Sequence, residues 1–181
     1  MSVGSRPLTD QEIEVVLNNL NTLRDKTMFF IGLKCGFRIS EILSLTVKNV
    51  TQYGEVANQI TVDRCNMKGK RSSRTVPLHD QAKQFLKEYL PTIDIANPET
   101  KLFPITRYGA HYVLKTAFNK AKLEGKTSTH SLRKTFANKV HKALGENIFK
   151  TQKAMGHANL SSTAHYISFM QEEIDNAILG V

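Results

Sequence analysis

The sequence predicts an α+β fold that is mostly helical, with a small antiparallel β-sheet or hairpin near its front. Three observations predict it: a capped amphipathic helix close to the N-terminus, two short β-type runs separated by a basic turn, and helical periodicity that then returns and continues to the C-terminus.

The first helix starts in Pro7-Leu8-Thr9-Asp10-Gln11-Glu12, where Thr9 can cap and Glu12, three residues later, completes a capping box. Ile13, Val16, Leu17 and Leu20 follow at helical spacing and form one apolar stripe. A second helix, roughly Arg24 to Lys34, is apolar nearly all round and therefore belongs in the core, with Gly36 ending it. A short helix begins over Ser40 to Leu45, with Ile42, Leu43 and Leu45 facing inward. The β-type runs are 59–63 and 74–78, and the turn between them, Asn66-Met67-Lys68-Gly69-Lys70-Arg71-Ser72-Ser73, gives the hairpin a cationic tip. Helical periodicity resumes over His79–Leu90 and Tyr108–Leu123, around a proline-punctuated loop from Pro91 to Pro104, and runs from about Ser128 to the end.

A chain of 181 residues that is 40% hydrophobic suits one domain with a sizeable core. Its formal charge of +9 favours an anionic partner, because lysines and arginines that neutralise phosphates release condensed counterions. Charge alone leaves DNA, RNA, an anionic membrane and heparin equally open. Cys35 and Cys65 form no close-spaced pair, which argues against a structural zinc site, and two cysteines are too few for a disulfide framework. The longest apolar run, Met28–Leu33, is too short to span a bilayer, and residues 1–9 do not read as a signal peptide. The expectation is a soluble, cytoplasmic protein without membrane attachment.

Four segments place polar residues where a packed helical chain would not need them. Cys35-Gly36-Phe37-Arg38-Ile39-Ser40-Glu41 puts Arg38 and Glu41 between two core helices; the plain alternative is a surface turn with an i,i+3 ion pair. In Thr129-His130-Ser131-Leu132-Arg133, a three-residue step puts His130 and Arg133 on one helix face, from which both could reach one phosphate. Met155-Gly156-His157 is a glycine-punctuated histidine after a helix, and Ser161-Ser162-Thr163-Ala164-His165-Tyr166 carries Tyr166 on a late helix. Each alone reads as ordinary structure: a satisfied histidine, an amphipathic core tyrosine. His141 and His165 lack ligand spacing to cysteine or carboxylate, so no metal site is expected.

Taken together and in order, Gly-Phe-Arg-Ile-Ser-Glu, a lysine in a hairpin turn, His-Ser-Leu-Arg, Met-Gly-His and a tyrosine resemble the catalytic domain of the tyrosine recombinase (phage integrase) family. That family reads roughly Gly-x-Arg-x-Ser-Glu, a hairpin lysine, His-x-Leu-Arg, Leu-Gly-His and a tyrosine nine residues on; Tyr166 follows His157 at that spacing. The resemblance runs from Leu8 to about Ile174. Met155 departs from the commoner leucine. Lys68, just before Gly69, fits the lysine position best, with Lys70 as the second candidate and Arg71 beside them.

The resemblance implies a site-specific recombinase that cleaves and religates double-stranded DNA through a 3′-phosphotyrosyl intermediate. It implies no metal and no cofactor. Chemistry supplies the reasons. A tyrosine with pKa about 10 is ionised in roughly one molecule in a thousand at pH 7, so cations must stabilise the charge it passes to phosphorus. Arginine suits that task because its planar fork holds two phosphoryl oxygens and stays protonated. The expected assignment makes Tyr166 the nucleophile, Arg38 and Arg133 the phosphate clamp, and Lys68 the acid for the leaving 5′-oxygen. His130 is expected to serve as an acid/base or hydrogen-bond donor and His157 as a donor to the phosphate. Glu41 would orient the arginine or histidine side chains. Lys70, Arg71 and Arg107 are expected DNA contacts. Lys115, Lys120 and Lys122 form either a solvated helix face or a further grip on backbone phosphates.

Residues 1–181 read as a single catalytic domain. The helical core-binding domain that usually precedes it is absent from this sequence, which fits either a piece of a longer protein or a short recombinase. The tail, residues 167–181, has helical spacing and is expected to pack in cis or to be exchanged between protomers, in a protein monomeric alone and tetrameric on DNA. Two other functions use the same residues differently: a type IB topoisomerase-like relaxing enzyme, and a non-catalytic DNA-binding module. Supercoil relaxation without recombinant product marks the first. The second has no need of a tyrosine at 166.

Overall fold

The computed structural model describes residues 4–67, 73–167 and 178–179. The chain divides into two compact units, Met1–Phe136 and Ala137–Val181, and helix α7 (Thr129–Ala143) passes from one into the other.

The first unit begins with α1 (Asp10–Asn18), where the Thr9 hydroxyl accepts from the Glu12 N–H and the Glu12 carboxylate accepts from the Thr9 N–H. Helix α2 (Leu23–Cys35) is buried over almost its whole length. It ends at Gly36, whose φ of 62° is left-handed; a Cβ here would also overlap the Phe136 ring. Short helices α3 (Ile39–Ile42) and α4 (Val47–Val50) follow, the former shorter than the expected Ser40–Leu45 segment.

Two small antiparallel sheets succeed them. The first, β1 (Thr51–Gln52) with β2 (Glu55–Val56), turns through Tyr53 and Gly54 and was not expected. The second is the expected hairpin, β3 (Gln59–Val62) with β4 (Arg74–Pro77), in the register Gln59↔Pro77 to Val62↔Arg74. Its alternation buries Ile60, Val62, Val76 and Leu78 on one face. Helix α5 (Asp80–Tyr89) packs on α2, stacking Phe85 on Phe30 at 4.5 Å between centroids. Helix α6 (Arg107–Lys120), capped by Thr106, buries Ala110, Leu114, Ala117 and Phe118 and packs on α1 and α3. The core of this unit centres on Met28, Phe29, Ile31, Phe37, Ile42, Leu86, Phe103, Phe118 and Leu132.

The second unit contains the end of α7, α8 (Ile148–Met155) and α9 (Leu160–Ala164). Asn147 caps α8, and Gly156, with φ 64°, ends it. Met155, Thr151 and Thr163 are buried here. The fold is α+β and mostly helical, as expected. No helix among the described residues is long and apolar enough to cross a membrane. The expected tail helix over 167–181 lies almost entirely outside the described residues, as do Lys68, Lys70 and Arg71.

Candidate active site

In the first unit the polar cluster is built around the C-terminal corner of α2. Arg38 is the N-cap of α3, and Glu41 folds back from the first turn of that helix. One Glu41 oxygen accepts from the Arg38 backbone N–H at 2.8 Å, and the other from Arg38 Nη1 at 2.7 Å. Glu41 Oε2 also lies 3.8 Å from Arg133 Nη1, and Glu41 itself is 0% exposed. Arg133, 1% exposed, donates to the Gly36 carbonyl. A solvated i,i+3 pair on a surface turn is thus not what the motif builds. The carboxylate is wholly buried and braces two guanidinium groups from different helices, which compensates charge that burial would otherwise make costly.

Arg74 escaped the sequence reading. It starts β4 on the inward face, in step with Val76 and Leu78, and that alternation was the available signal. Its guanidinium lies 4.9 Å from the Phe37 ring centroid and donates to the Cys35 carbonyl at 3.1 Å. Arg74 and Arg133 therefore hold the successive carbonyls of Cys35 and Gly36, just ahead of Arg38. Burial pulls the Arg74 pKa down to about 10, partly offset by Glu41, so it remains charged at neutral pH. Burial pushes the Cys35 thiol up to about 12, which leaves it inert.

His130 is the second residue of α7, its N–H donating to the Ser128 hydroxyl at 3.1 Å. Partial burial holds its pKa below the ordinary histidine value, reinforced by Arg107, Arg133, Arg38 and Lys134. Burial and the surrounding cations therefore favour the neutral imidazole. Beside it opens a cleft of about 420 Å³ whose lining includes Ile39, Arg107, Tyr108 and His111.

In the second unit His157 and Tyr166 lie together, with ring centroids 5.3 Å apart. His157 is buried, and its Nδ1 meets Thr163 Oγ1 at 3.0 Å. Tyr166 does not sit on a helix as expected. Helix α9 stops at Ala164, and a tight turn closed by Tyr166 N–H to the Thr163 carbonyl carries the tyrosine instead. Asn138, in the last turns of α7, donates to the Tyr166 carbonyl at 3.0 Å. Neither Asn138 nor Thr163 carries a motif that singles it out in the sequence. His141 bonds Thr151 at 2.9 Å, and among the described residues no group of three His, Cys, Asp or Glu could hold a metal.

The sequence model of the phage integrase family matches residues 6–173. The chain belongs to the phage integrase family. It is similar to a tyrosine recombinase of Thermosipho africanus, 29% identical over 94% of this chain, and spans 60% of that relative's length. In solved structures its fold is matched by the XerA recombinase, with TM-score 0.77 at 20% identity over 99% of this chain and 65% of the other. It is matched too by the Tn1549 transposon integrase in complex with circular intermediate DNA, with TM-score 0.72 at 21% identity over 98% of this chain and 66% of the other. Those likenesses establish the fold of this phage integrase family member; its chemistry is argued from its own residues.

Proposed function

We propose that the protein is a site-specific DNA recombinase that breaks and rejoins double-stranded DNA through a 3′-phosphotyrosyl intermediate on Tyr166, without metal or cofactor. The observation that carries the proposal is the buried Glu41 bracing Arg38 and Arg133. Charge this deeply buried is costly even when paired, and two forked cations held by one carboxylate suit a phosphate that gains charge in the transition state. A structural neighbour bound to DNA supports the choice of partner.

In this reading the Tyr166 hydroxyl attacks phosphorus, its oxygen forms the new P–O bond, and the bond to the 5′-oxygen breaks. The departing oxygen takes a proton from Lys68, with Lys70 as the alternative donor. Arg38 and Arg133 hold the nonbridging oxygens. His130, whose neutral form is favoured by burial and nearby cations, can take the phenolic proton, and His157 donates a hydrogen bond to the phosphate. The covalent bond conserves the phosphodiester energy, so a free 5′-hydroxyl reverses the step and religation needs no ATP. Glu41 acts on the arginines rather than on DNA, and Arg74 holds the Cys35 carbonyl ahead of Arg38. Lys70, Arg71 and Arg107 contact the DNA backbone. The protein acts in the cytoplasm, as a monomer that assembles into a tetramer on DNA, with the 167–181 tail linking protomers.

Incubation with a pool of nicked suicide duplexes, followed by denaturing electrophoresis, tests the proposal. Wild type should give a covalent protein–DNA band that Tyr166→Phe abolishes. An unchanged band in the variant would remove Tyr166 from the mechanism.

A further inference from the structure

The segment ahead of α1 is bound along the loop that leads into α7 by a run of polar contacts. The Arg6 N–H donates to the Lys126 carbonyl at 2.9 Å, and Arg6 Nε to the Glu124 carbonyl at 2.7 Å. Both Arg6 terminal nitrogens reach Glu12, at 2.8 and 2.5 Å, and Nη1 also donates to the Pro7 carbonyl at 2.9 Å. Every guanidinium nitrogen is thus engaged, in a geometry that a lysine point charge cannot reproduce. The same Glu12 closes the capping box of α1, and the Arg6 fork holds its carboxyl below the ordinary range. Gly125 has φ 72°, and a Cβ there would come within 3.2 Å of Arg6 Nε, so the close approach uses a position without a side chain.

One residue earlier, the Ser5 and Ser128 hydroxyls meet at 2.6 Å. Ser128 is the residue before α7: its hydroxyl accepts from the His130 N–H, and its own N–H donates to the Ser131 hydroxyl at 3.1 Å. On the other side, the Leu8 N–H donates to Thr135 Oγ1 at 2.8 Å, one turn further along α7. Ser5, Arg6 and Leu8 therefore fasten the strap to the start of α7 on both sides of the His130 turn.

We propose that Ser5 and Arg6 are positioning residues for His130: the strap they form fixes the Ser128 cap from which His130 projects, so displacement of the chain ahead of α1 displaces the imidazole. The inference rests on the phosphotyrosyl-transfer reading for its consequence in catalysis, but not for the coupling itself. His130 is faced by Arg38 from the start of α3, by Arg107 from α6, and by Arg133 and Lys134 from its own helix, so its titration reports its place among them.

Three measurements on wild type, Ser5→Ala and Arg6→Gln decide it: single-turnover cleavage of a nicked duplex, DNA affinity, and the NMR titration of the His130 ring. Both variants should slow cleavage roughly 10-fold, a fraction of the roughly 10²-fold that a 1 Å misplacement of a reacting group can cost. DNA affinity should stay within about 2-fold, and the His130 pKa should rise toward its ordinary value of about 6.5 as the ring leaves the cationic cluster. Ser5→Ala removes a single hydroxyl and keeps the comparison open should Arg6→Gln fail to fold. Unchanged cleavage and unchanged His130 titration in both variants would overturn the strap. Should wild type itself yield no covalent product, the functional reading fails, and the titration alone decides the coupling: a shift supports it and none overturns it.

Discussion

Arg133 and Glu41 in the first unit are 1% and 0% exposed and hold each other by opposite charge. The contacts of His157 and Tyr166 in the second unit include a hydroxyl, a side-chain amide and a turn of backbone. The arginine cluster is anchored in the main core, where α2, α3 and the start of α7 meet, and three guanidinium groups share one corner around Gly36. The tyrosine comes after a helix of five residues, beside the buried Ile167. Under the proposed mechanism, the charge that receives the phosphate is fixed in advance by burial. If Tyr166 is the proposed nucleophile, hydrogen bonds worth about 1 kcal/mol each suit a group that must reach phosphorus, stay bonded to it and withdraw.

The contrast breaks most visibly at Glu41. Glu41→Ala leaves Arg133 buried without its carboxylate, and loss of one partner of a buried pair costs about 3–5 kcal/mol. Chemical denaturation should show that loss, with cleavage falling below detection. Arg38→Lys is more selective. The Arg38 side chain is 21% exposed and a lysine keeps the positive charge beside Glu41, so stability should fall less than in Glu41→Ala. Single-turnover cleavage should drop roughly 10²–10³-fold as the fork is lost, the range seen when one transition-state donor is removed. On the tyrosine side the expected effect is smaller. Thr163→Val removes the hydroxyl that meets His157 Nδ1 and should cost about 1 kcal/mol, with cleavage reduced roughly 10-fold and Tyr166 still able to form the covalent bond.

The smallest effect is one of pH. The folded His130 pKa lies below its unfolded value of 6.5, so protonation favours the unfolded chain. The contribution from neutral His130 is fully present above pH 6.5 and is lost as pH falls through the folded pKa. Denaturation midpoints measured downward from neutrality should show this slope, and His130→Gln should remove its share.

How far the sequence could be read follows the same division. Helix α1 was legible because Thr9 and Glu12 state its start chemically, and α2 because its all-round apolar pattern and Gly36 state its burial and its end. The hairpin was legible from alternation on either side of a basic turn. The β1–β2 hairpin was not, because strands of two residues leave no period to detect. Motif order pointed to Arg38, Glu41 and Arg133, yet the burial of Glu41 between two arginines depends on contacts between residues far apart in the chain. Arg74 carried a local sign, an arginine in step with inward valine and leucine, that was read as part of a strand and no more. Tyr166 was placed on a helix because its neighbours are helix-compatible. The turn closed at Thr163 is a local hydrogen-bond choice that periodicity does not encode. The Ser5–Ser128 link joins two serines 123 residues apart, which no local pattern reveals.

The account stands most directly on the chemistry at Tyr166. A trapped protein–DNA complex, formed with a chelator present, can be digested with nuclease and protease and its modified peptide mapped by mass spectrometry. The account predicts a nucleotide remnant on Tyr166, formed in the same yield with and without chelator. A remnant on any other residue, or an adduct that forms only with a divalent metal, would contradict it.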